Sequence, residues 1–80
     1  MQTLTTLKKP SIKRVILDIL SHYQGRDISI RQLRRRVEEI LDRWVTEETI
    51  ARRVRELRQE GYIQYRPLRK GVYMIEEVVS

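Results

Sequence analysis

The spacing of apolar residues in this chain changes once, at Gly61. Before it they recur at helical intervals, and after it they alternate. Ile12, Val15, Ile16, Ile19, Leu20 and Tyr23 fall on one helical stripe. So do Ile30, Leu33, Val37, Ile40 and Leu41, and again Ile50, Val54 and Leu57. Beyond Gly61, Tyr62-Ile63-Gln64-Tyr65 and Val72-Tyr73-Met74-Ile75 read as strands around a break at Pro67 to Gly71. The spacing predicts three helices followed by a β-hairpin, an α+β chain, with Ile63, Tyr65, Tyr73 and Ile75 on the hairpin's inward face.

Punctuation residues sharpen the boundaries. Ser11 after Pro10 is a candidate N-cap, and Gly25 suits the left-handed turn that ends the first helix. Asp27-Ile28 is a short extended link. Ser29 with Gln32 fits a capping box, which starts the second helix at Ile30. Asp42 to Val45 connects to Thr46, an N-cap with Glu47 and Glu48 in the favourable first turn. Gly61 stops the third helix. Residues 1–10 are polar with no clear period and read as an N-terminal arm, leaving one domain over 11–77.

Composition adds the direction of function. Eighty residues allow one thin-cored domain. Seventeen Lys and Arg against eleven Asp and Glu give +6, and thirteen of the seventeen are Arg. Such a balance suits an anionic partner, nucleic acid being the commonest; a plain solvated basic surface is the alternative. With no Cys there is neither a disulfide nor a thiolate metal site. Nothing reads as a signal peptide, and Val15-Ile16-Leu17 is far too short to span a bilayer. The expected compartment is the cytoplasm, nucleoid-associated in a prokaryote and the host cytoplasm for a viral protein. Neither a cofactor nor a metal is expected. His22 is the single His, and the carboxylate pairs Glu38-Glu39, Glu47-Glu48 and Glu76-Glu77 are sequence neighbours that diverge rather than face each other. No enzyme activity is expected.

The run from Thr46 to Ile63 (TEETIARRVRELRQEGYI) and the later Gly71-Val72-Tyr73-Met74-Ile75 resemble the winged helix-turn-helix family. The likeness lies in a Thr cap, a β-branched core residue, an Arg pair, a Leu, a Gly and an Ile opening the hairpin. It covers residues 11 to 76. The implied fold is a winged helix, with three helices, a short strand and a C-terminal β-hairpin wing. The second helix is longer than the family usually has, which brings Glu38 and Glu39 toward the DNA approach, where they would repel phosphate.

A helix fits the major groove of B-DNA, and its outward side chains reach base edges. With Ile50, Val54 and Leu57 inward, the outward positions are Glu48, Thr49, Arg52, Arg55, Glu56 and Gln59, with Arg53 toward the flank. The guanidinium fork suits guanine and phosphate. Thr49 can reach a phosphate or a thymine methyl, Glu48 or Glu56 can accept from a cytosine amine, and Thr46 opens the helix. The alternative is a solvated face with Arg52–Glu56 pairing.

The resemblance implies that Arg52 and Arg53 lie in or beside the groove. It also implies that Arg66, Arg69 and Lys70 on the wing approach the minor groove or flanking phosphates; a solvated turn is the alternative. Weaker phosphate contacts are expected from Lys13 and Arg14, with Lys8 and Lys9 nearby, and from Arg34 and Arg35, since the run Arg34-Arg35-Arg36 cannot share one face. Trp44 is expected to close the core between the second and third helices, with a dimer contact as its other reading.

The expected function is double-stranded DNA binding by a small transcriptional regulator, cellular or viral, as a monomer or as a homodimer on two half-sites. The rival readings are a winged-helix protein-interaction module and a nonspecific, architectural nucleic-acid binder. No membrane partner is expected.

Overall fold

The computed structural model describes residues 11–79. The arm expected over 1–10, with Lys8 and Lys9, lies outside them. The described chain forms three helices and a three-stranded antiparallel sheet in the order α1 (Ile12–Ser21), β1 (Asp27–Ser29), α2 (Ile30–Leu41), α3 (Glu47–Gln59), β2 (Ile63–Arg69) and β3 (Val72–Val78). No helix among the described residues is long and apolar enough to cross a membrane.

Each helix starts where a side-chain oxygen satisfies an otherwise orphaned backbone N–H. Ser11 Oγ accepts from Arg14 N, and Thr46 Oγ1 accepts from Thr49 N. At Ser29 both arms of the capping box are formed, Ser29 Oγ accepting from Gln32 N and Gln32 Oε1 from Ser29 N, each at 3.0 Å. The end of α3 is a Schellman turn. Gly61, at φ 87°, lets Tyr62 N donate to Leu57 O at 2.9 Å and Gly61 N to Arg58 O at 3.1 Å. This turn converts the helical period into the alternating one.

α1 ends earlier than the sequence suggests, at Ser21. Residues 22–25 form a turn, and Gly25 serves the sheet instead: its N–H donates to Ile75 O at 2.7 Å, and Ile75 N donates to Arg26 O at 2.9 Å. The extended link after it is β1. Its residues Asp27, Ile28 and Ser29 pair with Met74, Tyr73 and Val72 of β3. The sheet order is therefore β1-β3-β2, with β3 central. The hairpin is longer than expected. β2 runs through Pro67 to Arg69, so the turn is only Lys70-Gly71. Proline survives there because β2 is an edge strand, and the register shifts between Pro67 and Arg69.

The core lies between the helices and one sheet face. Ile16, Leu20, Ile28, Leu33, Val37, Ile50, Val54, Ile63 and Ile75 are fully buried at its centre. Tyr65 closes it, while Tyr73, expected inward, is only half-buried and meets the Tyr65 ring edge-on at 4.9 Å. Two expectations fail at the end of α2. Ile40 is 55% exposed, and Trp44 is 74% exposed rather than closing the core. Val45 fills that place. Its N–H donates to Glu38 Oε2 at 2.9 Å, which turns Val45 inward in the irregular connector and leaves its neighbour Trp44 outside.

Glu38 thus serves the connector instead of facing an anion. Its Oε2 also takes Arg34 Nη1 at 3.0 Å, and Arg34 Nε lies 3.8 Å from Glu47 at the start of α3. One carboxylate ties α2, the connector and, through Arg34, α3. Glu38→Ala leaves both donors without that acceptor and should lower unfolding free energy by about 1–3 kcal/mol. Glu77→Ala, at an exposed strand position, should stay within about 0.5 kcal/mol. Urea unfolding of the two variants measures the difference.

Candidate nucleic-acid interface

α3 is exposed along one side and flanked differently on its two edges. On the outward side Glu48 and Arg52 stand one turn apart, their side chains 84% and 55% exposed, with 4.0 Å between Oε2 and Nη2. At this separation and exposure the pair holds neither group tightly. Arg55 and Gln59 continue the exposed side toward the C-terminus.

The edge facing α1 is closed by ion pairs. Lys13 Nζ sits 2.8 Å from Glu60 and 3.6 Å from Glu56, and Arg53 Nη1 donates to Glu56 at 2.6 Å. The Glu60 carboxylate, bonded to the ammonium, holds Lys13 above its ordinary pKa of 10.5. The bridge is accordingly complete at neutral pH and is lost only as pH rises through that elevated value. Glu56 and Arg53, expected in or beside a groove, are therefore spent on the α1–α3 junction. Thr49 turns the same way. It shares a hollow with Ser11, Ile12, Lys13, Arg43 and Arg53, and its hydroxyl accepts from Thr46 Oγ1 at 2.9 Å.

The edge facing the hairpin is open. A groove of about 640 Å³ runs between the start of α2, the first turns of α3 and the hairpin turn, lined on its basic side by Arg31 and Lys70 and on its acidic side by Glu47 and Glu48. Three local choices build it. Ser29 ends β1 and caps α2, Ile30 N donates to Gly71 O at 2.8 Å, and Gly71 adopts φ 75° so that the turn folds over Ile30. The α2 start and the hairpin turn are thereby held side by side. Ala51 and Tyr73 also line the groove, the small Ala51 side chain leaving it open. Burial raises the Tyr73 phenol above its usual 10.0, the neighbouring Tyr65 adds to this, and the Arg55 charge opposes it.

The expected basic residues thus separate by position. Arg52, Arg55, Arg69 and Lys70 are exposed, and among the described residues Arg55, Arg69 and Lys70 have no ion-pair partner. Arg66 is not at the tip. It pairs across the ladder with Met74 and lies 3.7 Å from Glu76. Lys13 and Arg34 are engaged within the fold, as described. Arg14 lines a separate hollow with Tyr62, Val78 and Val79, at the open end of the hairpin, about 20 Å from its turn at ~3.3 Å per residue. Arg35 is exposed on α2 without an ion partner among the described residues and does not line the groove. Arg31 was not among the expected contacts, because helical spacing alone turns it away from the core without saying toward what. Its signal was its place two residues after the Ser29 cap.

No group of three His, Asp or Glu able to hold a metal occurs among the described residues. Removing the Arg55 charge should push the Tyr73 phenol further up. NMR titration of Tyr73 in the Arg55→Ala variant should show it ionising later than in the parent; an unchanged Tyr73 would mean that the Arg55 charge does not reach its phenol. Comparison with protein-family models, with curated proteins and with solved structures finds no match for this chain.

Proposed function

We propose that this chain is a winged-helix protein that binds double-stranded DNA and acts as a small transcriptional regulator, with α3 in the major groove and the β2–β3 hairpin as the wing. The observation that carries this reading is the partition of cations. Lys13 and Arg53 at the α1–α3 junction are neutralised by Glu56 and Glu60, whereas Arg52, Arg55, Arg69, Lys70 and Arg31 stand exposed around α3 and the hairpin turn. Exposed arginines on an accessible helix match what base edges and phosphates require. The element order, with a short strand between the first two helices and a C-terminal β-hairpin, is also what the winged-helix resemblance implies. Glu48 within this cationic face favours selective over indiscriminate binding. A carboxylate there repels phosphate but accepts from a cytosine amine.

The first test is a salt titration on a mixed-sequence duplex. About four to six phosphate contacts give a log–log slope of roughly −4 to −5. No binding at low salt would replace this reading with a protein-interaction module. Once a preferred site has been selected, two variants separate the roles. Arg52→Ala should weaken that site by about 1–3 kcal/mol and random DNA far less. Equal losses on both would make Arg52 a phosphate contact. Arg69→Ala should weaken all duplexes alike and reduce the slope by about one. An unchanged slope would take the hairpin turn out of the interface.

A further inference from the structure

The end of α2 exposes two large apolar side chains, Ile40 at 55% and Trp44 at 74%. Neither lines the groove beside α3. Ile40 instead borders a hollow of about 350 Å³ between α1 and α2, walled by Asp18, His22, Tyr23, Arg36 and Glu39. Four residues apart in the chain and both exposed, Ile40 and Trp44 are large apolar side chains set among polar neighbours, as at contact surfaces.

The rim indicates what covers it. Around Ile40 the hollow places Asp18 and Glu39 alongside Arg26 and Arg36, and Asp42 lies two residues before Trp44. None of these five has an ion-pair partner among the described residues; Arg36 makes a 3.4 Å bond to the Tyr23 hydroxyl. A polyanion is repelled by three carboxylates, and a uniformly acidic or basic protein meets like charges as well as opposite ones. A surface carrying both signs around an apolar centre complements itself under a two-fold rotation, which sets each patch against its own copy.

We propose that a second copy of this chain docks on the α2 C-terminal surface centred on Ile40 and Trp44, forming an isologous dimer that leaves α3 and the hairpin free. A two-fold axis beside Ile40 lays the two α2 ends antiparallel. Ile40 then meets Ile40 of the second copy. Arg36, one turn back, meets Trp44 of the second copy, a cation over an indole face.

Trp44 is the only tryptophan, so its fluorescence reports this surface alone. Without DNA, sedimentation from about 2 to 200 µM should show the 9.7 kDa chain doubling in mass. Over the same range Trp44 emission should move to shorter wavelength and iodide quenching should fall. Ile40→Asp and Trp44→Ser should each raise the dissociation constant at least tenfold, with circular dichroism and melting unchanged because both side chains are exposed. In Ile40→Asp the Trp44 emission should stay long-wavelength throughout. A chain that remains monomeric with constant emission overturns the proposal. So does a dimer that both variants leave intact, which would locate the contact elsewhere. Neither outcome depends on DNA binding, and the salt titration does not depend on dimerisation.

Discussion

The hydrogen bond from Ile30 N to Gly71 O, 2.8 Å long, closes the pairing of β1 with β3, and the geometry of the exposed side follows from it. β1 is only three residues long. Its last residue, Ser29, is at once the end of a strand and the cap of a helix, so the direction of α2 is set at the point where the hairpin turn is held. Because Val45 and the Arg34–Glu38–Glu47 chain then fix α3 against α2, the hairpin turn and α3 stand on either side of one groove. Without β1 the hairpin would lose its third strand, and two-stranded ribbons are marginal in water.

Arginine dominates the charge of this chain, yet its arginines do different work. Arg34 and Arg53 are half-buried and hydrogen-bonded to carboxylates four and three residues away. There the planar guanidinium joins elements as well as countering charge. Arg26 and Arg58 lie over the rings of Tyr23 and Tyr65 at 5.1 and 4.9 Å, covering tyrosine faces that the thin core leaves partly open. What remains exposed around α3 is a small fraction of the total. A net charge of +6 therefore understates how unevenly the charge is paired: Glu56 and Glu60 cancel Lys13 and Arg53 at the α1–α3 junction, while Arg55, Arg69 and Lys70 have no ion-pair partner among the described residues.

Most of the fold was legible because it rests on local rules. The stripes of α1, α2 and α3, the Ser11, Ser29 and Thr46 caps and the Gly61 stop all depend on neighbours within one turn of chain. Three of the failures share a different cause. Gly25, Pro67 and Trp44 were misplaced because their surroundings are set by partners beyond one turn of chain: Ile75 for Gly25, the edge position of β2 for Pro67, and the Glu38–Val45 bond for Trp44. Among the described residues the structure gives no such partner for the exposed Ile40. The candidate site shows the same limit. Periodicity gave the outward side of α3, hence Arg52 and Arg55. It could not say that α1 would bring Lys13 to Glu56, so Glu56, Arg53 and Thr49 looked as available as Arg52. It also could not bring Arg31 beside Lys70, since that meeting requires the strand pairing.

Pro67 has a consequence beyond the shape of the hairpin. It removes a backbone donor from the outer strand, and the register shift beside it twists the ladder out of line. An incoming extended chain would find no continuous row of N–H and C=O groups there. At the other margin of the sheet, β1 offers three residues, too few to template a partner. Both margins are thus closed to β-addition, which guards a small protein against fibrous aggregation and leaves association to its helical surfaces.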